Sequence, residues 1–172
     1  NDQPALHFDG TDDMLQGVTI PGLDTSSISI FVVAQGDDQS YILAGFFEIS
    51  SYTNGFSFGR RAFYGETNLS LYNNGAYIFA PSGSIPTTGF PFKILEGIKD
   101  FNVSSKLFIN SISQGTSVDM TLNGPFTNTF YKIGYSQGLS YFKGDIAEII
   151  LYNIALPDSN RIKIENYLRS KY

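Results

Sequence analysis

The chain has 172 residues, a formal charge of −5, 42% hydrophobic and 15% aromatic residues, and no cysteine or tryptophan. Eleven scattered Lys and Arg against sixteen acidic residues exclude a basic nucleic-acid surface. The missing cysteines exclude disulfides, thiolate metal sites and Cys nucleophiles, and no apolar run approaches the ~20 residues of a membrane-spanning helix, so no membrane insertion is expected. The length suits one domain spanning 1–172, with no linker, repeat or low-complexity tract. A first residue other than Met, with no leader-like segment after it, suggests a processed protein or a module cut from a longer chain.

Strand signals dominate in chain order. Ala5 to Phe8 reads as a strand with His7, the single histidine, facing solvent, and Gly10 as a tight turn with positive φ. Ile28–Gln35 and Tyr41–Ile49 are apolar on both faces, as in strands covered on both sides. Phe56 and Phe58 alternate with Ser57 and Gly59. Leu69 and Leu71 alternate with Ser70 and Tyr72, and Val118, Met120 and Leu122 with Ser117, Asp119 and Thr121. Turn signals separate these runs: Gly36-Asp37-Asp38, Thr53-Asn54-Gly55, Asn73-Asn74-Gly75, Pro81-Ser82-Gly83 and Asn123-Gly124-Pro125. Near the end, Ile146, Glu148, Ile150 and Tyr152 share one strand face by parity, and Ala147, Ile149 and Leu151 the other. From Pro157 to Ser170 the spacing of Ile164, Tyr167 and Leu168 predicts a helix. Pro157 and Asp158 suit its first turn, Arg169 and Lys171 its last, and Glu165, Asn166, Arg169 and Ser170 its wetter side. The whole reads as an all-β antiparallel sandwich or barrel closed by one C-terminal helix near 157–170.

The stretch Phe142-Lys143-Gly144-Asp145-Ile146-Ala147-Glu148, followed by Tyr152-Asn153, Ala155-Leu156, Tyr167-Leu168 and Lys171-Tyr172, resembles the end of concanavalin A-like jelly-roll modules of the laminin-G/pentraxin-like group. Leu6–Asp13 (LHFDGTDD), Leu107–Asn110 (LFIN) and Ile133-Gly134 match that group upstream in the expected order. Pro157 and Asn160 stand where the group often has a capping box, and Ser111 where Gly is usual. The resemblance implies a two-sheet antiparallel jelly-roll sandwich and a lectin-like, non-catalytic role.

Jelly-roll glycosidases need two carboxylates about 5–10 Å apart. No E-x-D-x-x-E string occurs among the five Glu. Asp145 and Glu148 point to opposite faces of a regular strand, and Glu96 and Asp100 straddle Gly97 in what reads as an edge or turn. Glu148 is expected to be a paired, structural carboxylate. Tyr141-Phe142-Lys143-Gly144 resembles a string of jelly-roll polysaccharide lyases, whose partner strands R-x-E-x-R and Q-x-H are missing. Catalytic residues are therefore not expected.

Binding is the better expectation. Sugar sites combine aromatic faces with amide and guanidinium groups. The aromatic-rich middle of the chain, which also holds Phe63, Asn68 and Asn73, supplies Tyr52, Asn54, Arg60, Tyr64, Tyr72, Asn74 and Tyr77 as candidates. Arg60 and Arg61 point opposite ways on a strand, so at most one serves a shared site. No cofactor is required. A structural calcium ion has candidate ligands in Asp9, Asp12 and Asp13, with Asp145 brought close if the first and last strands pair; Asp37-Asp38 form a second acidic loop. The expected role is glycan recognition on a cell or virion surface. The alternative is a structural or adhesion domain of a surface, phage or virus assembly that contacts protein partners, and a polysaccharide lyase-like enzyme ranks third.

Overall fold

A computed structural model describes residues 3–23, 25–38, 43–50, 54–63, 66–86, 88–136 and 140–172. The alternating segments become β1 (Leu6–Asp9), β2 (Leu15–Val18), β3 (Ile28–Asp38), β4 (Leu43–Ile49), β5 (Phe56–Phe63), β6 (Glu66–Asn73) and β7 (Ala76–Phe79). They are followed by β8 (Thr88–Asp100), β9 (Ser104–Ile109), β10 (Ile112–Ser117), a helical turn α1 (Met120–Asn123), β11 (Phe130–Ile133), β12 (Tyr135–Ser136), β13 (Ser140–Tyr141), β14 (Lys143–Tyr152) and α2 (Asp158–Lys171). Two six-stranded sheets result. Sheet A runs β1-β14-β3-β8-β9-β10 and sheet B runs β2-β11-β4-β5-β6-β7, every pairing antiparallel, with β12 and β13 as a separate hairpin. This is the expected jelly-roll sandwich.

Between the sheets lies a dry core. β3 contributes Ile28, Ile30, Val32 and Ala34, and facing strands contribute Phe46, Phe56, Phe58, Leu69 and Leu71. Phe142 sits edge-on to Phe46 at 5.0 Å and meets Phe8 at 6.2 Å, joining both chain ends to the centre. The other face of β3, with Phe31 and Val33, packs with Ile94, Leu156 and Leu168 under α2. That explains why β3 is apolar on both sides: sheet B covers one face and the helix the other.

Four local expectations are corrected. Residues 118–122 are not a strand. The Asp119 carboxylate accepts the Leu122 N–H at 3.3 Å, and its carbonyl accepts the Asn123 N–H at 3.0 Å, so a helix cap outcompetes the alternation. The region of Glu96 is no edge: β8 lies between β3 and β9, and Gly97 permits a close approach, since a Cβ there would meet the Phe58 ring at 2.9 Å.

The third correction concerns β14. A bulge between Ile146 and Glu148 adds a residue, so Ile146, Ile149 and Leu151 pack in the inter-sheet core, whereas Ala147, Ile150 and Tyr152 pack on the helix side. Asp145 and Glu148 therefore share the outward face, which simple parity had assigned to opposite sides. The fourth concerns α2. Arg161, Glu165 and Leu168 are its buried residues, so Glu165 lies inward, while Tyr167 is exposed. Pro157 is the N-cap rather than a helical residue, with φ −65° and ψ 154°.

The turn between β9 and β10 also departs from rule. Asn110 and Ser111 both have positive φ, at 49° and 71°, as a two-residue type I′ hairpin requires. Ser111 adopts it without being glycine, and its hydroxyl donates to Glu165 and accepts from Arg169 at 2.9 Å.

Candidate functional site

The outward face of sheet B is assembled by register. One cross-strand row runs Gln16, Lys132, Glu48, Ser57, Tyr72 and Tyr77 over all six strands. The next row is Gly45, Gly59, Ser70 and Phe79, and Arg61 pairs with Asn68 beyond it. Gly45 and Gly59 leave a bare strip, and the β12–β13 hairpin lies on it. A Cβ on Gly45 would come within 2.3 Å of the Tyr135 carbonyl oxygen and 2.4 Å of the Ser136 Cβ. The Ser57 and Ser136 hydroxyls are hydrogen-bonded at 2.9 Å, and the Tyr135 and Tyr141 rings meet at 5.0 Å. Lys132 Nζ lies 4.3 Å from the Tyr135 ring centre. Burial, with the negative potential of Tyr141 and Glu48 added, raises the Tyr135 phenol above its ordinary range.

At the β7 end the face carries a shelf. The Arg61 guanidinium lies 4.0 Å from the Tyr77 ring centre and 5.3 Å from that of Phe79. Tyr77 and Phe79 stack at 5.3 Å and 10°, and Tyr72 meets Tyr77 from the neighbouring strand at 4.6 Å. Phe79 is 41% exposed and Tyr77 and Arg61 are half-buried, whereas Tyr72 is only 2% exposed. The shelf sets part-exposed ring surface beside a guanidinium whose Nε and Nη1 are themselves buried, and such ring faces suit saccharide C–H faces.

The seven sequence candidates divide. Tyr52 and Tyr64 lie outside the described residues. Tyr77 is on the shelf, and Tyr72, its cross-strand neighbour, is buried beside it. Arg60 is 2% exposed and points the other way, with Nη1 donating to the Pro86 carbonyl at 3.3 Å. Arg61 is the guanidinium on the face. The alternation of Phe56 and Phe58 with Ser57 and Gly59 already carried that parity: even positions face inward on β5. Asn54 and Asn74 hold a loop instead. The Asn54 carbonyl accepts from Thr127 N–H at 2.7 Å and from its hydroxyl at 2.9 Å, and the Asn74 amide donates to Pro125. Phe79, Lys132, Tyr135 and Tyr141 carry no sequence signal for this face, because only strand register and the hairpin's fold-over bring them to it.

The acidic candidates divide as well. Asp9, Asp12 and Asp13 present carboxylate oxygens within 4.8 Å of one another, all exposed. Hard oxygens so grouped suit calcium chemistry, although Asp13 already accepts the Asp9 N–H at 3.0 Å and Asp9 the Thr11 N–H at 2.7 Å. Asp145 does not join them. The β1–β14 pairing exists, but its register sets Lys143 opposite Asp9 and Asp145 opposite His7. Asp145 accepts from His7 Nδ1 at 2.9 Å and from the Gln35 amide. The bond to Asp145 raises the pKa of the exposed His7 ring.

The carboxylates weighed for catalysis hold structure together. Glu148 accepts from Lys171 Nζ at 2.9 Å, Tyr172 OH at 3.0 Å and Tyr167 OH at 3.3 Å. Burial pushes its pKa up, but the bonds from Lys171, Tyr172 and Tyr167 outweigh burial and lower it. Glu96 lies beneath α2. Tyr141 lies on β13 of the hairpin over sheet B, and His7 on the β1 edge of sheet A.

No family model matches the chain, and no curated protein matches it. Solved structures do. A heptameric SAP-like pentraxin from Limulus polyphemus superposes with a TM-score of 0.67 at 14% identity, covering 88% of this chain and 76% of that one. The CBM40 domain of the Ruminococcus gnavus IT-sialidase, bound to α2,3-sialyllactose, gives 0.67 at 13%, covering 94% and 96%. Domain 4 of AbnA, an extracellular arabinanase from Geobacillus stearothermophilus in complex with arabinotriose, gives 0.62 at 16%, covering 91% and 85%. At these identities the similarity defines the fold. The chain has the two-sheet jelly-roll sandwich fold of these structures.

Proposed function

We propose that this chain is a non-catalytic carbohydrate-binding module that takes its ligand on the outward face of sheet B. The observation that carries the reading is the shelf on which Arg61 lies over Tyr77 and Phe79. Neighbours of the same architecture are bound to sialyllactose and arabinotriose, which supports a glycan as the ligand class. The absence of catalysis is part of the proposal, because Asp145, Glu148 and Glu96 are all engaged in structural contacts. Display outside the cell, on a cell surface or virion, belongs to the same reading. No cofactor is needed at the shelf. The same reading assigns a structural calcium ion to Asp9, Asp12 and Asp13, at the end of β1 and in the turn that follows it.

The test is titration of the protein with sialylated, arabinan and neutral oligosaccharides, followed by NMR, in calcium and in EDTA. The expected result is shift changes at Arg61, Tyr77 and Phe79 that vanish in Tyr77→Ala. Absence of any shift with every saccharide, in both buffers, overturns the reading. A protein-contact role has its own observation: Val18, 80% exposed, and Leu15 line the edge strand β2 beside an apolar groove of about 570 Å³ walled by Phe47, Tyr131, Ile133 and Ile149. Light scattering separates the two, since a monomer at all concentrations that binds saccharide disfavours the second.

A further inference from the structure

The face of sheet A under α2 buries charge. Glu96 in the middle of β8 is fully buried, and Glu165 of α2 nearly so. Arg161 stands between them, with Nη1 donating to Glu96 Oε2 at 3.0 Å and to Glu165 Oε2 at 3.3 Å, while its guanidinium lies 4.1 Å from the Phe108 ring centre. The two carboxylates are not equally served. Glu165 Oε1 accepts from Ser111 and from Arg169 Nη2 at 3.2 Å. Glu96 Oε1, equally buried, has no hydrogen-bond partner among the described residues. The site supplies donors to both oxygens of Glu165 but to only one oxygen of Glu96.

We propose that Glu96 carries a proton when α2 is docked, and that loss of this proton loosens the helix from sheet A, making the C-terminal helix a pH-set cover. Two buried anions would otherwise share one fully buried guanidinium, because Arg169 is 49% exposed and spends part of its field in water. Every element packed against Glu96 is consistent with this. α2 brings Asp158, Arg161, Glu165 and Arg169. β3 and β9 set Phe31 and Phe108 opposite it, and Lys106 sits opposite Ile98, one outward position along. The flanking outward residues of β8 itself, Ile94 and Ile98, are apolar. Burial pushes the Glu96 pKa up to about 7; the Arg161 hydrogen bond opposes burial and Glu165 reinforces it. At the other end, Lys171, Tyr172 and Tyr167 hold an ionised Glu148, whose pKa is lowered. That end stays latched through neutral pH, so loosening starts at Arg161 and Glu165 and uncovers Phe31, Val33, Ile94 and Leu168.

The sign follows from linkage. A carboxyl whose folded pKa lies above its unfolded value of 4.5 makes the folded state bind more protons between 4.5 and about 7. Its contribution to stability is present at the acid end, declines as pH rises through that window and is gone above it. For one proton the folding equilibrium loses up to about tenfold per pH unit there. The direct experiment is a 13C-carboxyl NMR titration of the whole chain. The expected Glu96 midpoint is near 7, with α2 amide protection, corrected for intrinsic exchange, falling through the same midpoint. Glu96→Gln, which imitates the protonated acid, should flatten the acid-to-neutral stability difference and hold α2 protection constant. A Glu96 midpoint in the ordinary carboxylate range overturns the proposal, as does a Glu96→Gln variant with the parent's pH slope. If that variant does not fold, the titration of the unaltered protein decides. His7 also gains its proton's stabilisation from a raised pKa, but loses it above 6.5, so the titration is repeated in His7→Asn.

Discussion

Sheet A turns outward a face of Phe31, Val33, Ile94 and Glu96 and hides it beneath α2, whereas sheet B turns outward Glu48, Ser57, Tyr72, Tyr77 and Arg61 and, among the described residues, carries a two-stranded hairpin over its middle. Both faces hold arginine against aromatic rings. Under the helix, Arg161 lies on Phe108 with both neighbouring carboxylates buried, and the arrangement closes on itself. On sheet B, Arg61 lies on Tyr77 at the rim, with Phe79 part-exposed beside it. The same chemistry thus does two jobs according to its access to water: the roofed face fixes the helix, and the open one presents a surface.

The largest test of that contrast removes the cation from the roofed face. Arg161→Met leaves Glu96 and Glu165 of the docked helix without their shared partner and should cost about 3–5 kcal/mol in urea unfolding at pH 7. The loss should shrink below pH 6, where Glu96 is protonated. An equal loss at both pH values would remove the distinction drawn for Glu96. On sheet B the corresponding structural change is Gly45→Ala. Its Cβ would collide with the Tyr135 carbonyl, displacing the hairpin at a cost of about 1–3 kcal/mol with an altered near-UV spectrum of Tyr135 and Tyr141. A neutral result would show that the hairpin does not rest on that strip.

Next comes the shelf. Tyr77→Ala should weaken saccharide affinity at least tenfold, about 1.4 kcal/mol, and Arg61→Ala comparably, as read by calorimetry, while Arg60→Lys leaves affinity unchanged. Equal losses for Arg60 and Arg61 would break the assignment of the face. The smallest effect is at the sheet A edge. His7→Asn should abolish only a shallow decline in thermal midpoint above pH 6.5, because the exposed His7–Asp145 pair is screened by water.

Much of the sandwich was legible in the chain. Ile28–Gln35, Phe56/Phe58 and Leu69/Leu71 carry period-two or doubly apolar patterns, and these survive folding because a sheet buries whole faces. Where local chemistry competed, pattern failed. Asp119 capped a helical turn inside an alternating segment, and a one-residue bulge at Ala147 moved Glu148 onto the face of Asp145. The candidate site was half legible. β5 alternation contains the choice of Arg61 over Arg60 for the outward face, and Tyr77 is a sequence candidate that lies on the shelf. Phe79 and the hairpin tyrosines carry no such signal, because nothing local to residues 79, 135 or 141 says which strand they will lie beside.

The sequence by itself determined the all-β class, the terminal helix and the lack of cysteine, since these depend on periodicity and residue inventory, while the two-sheet arrangement was what the family resemblance implied. Only the tertiary structure decided which polar groups face water. Glu165 reads as a surface residue on its helix and is buried because α2 crosses the one point of sheet A where β8 offers Glu96. Arg61 reads as half of a basic pair and becomes a stacked surface group because β7 pairs beside β6 and places Tyr77 under it. Those outcomes depend on long-range register, which no local stretch of chain encodes.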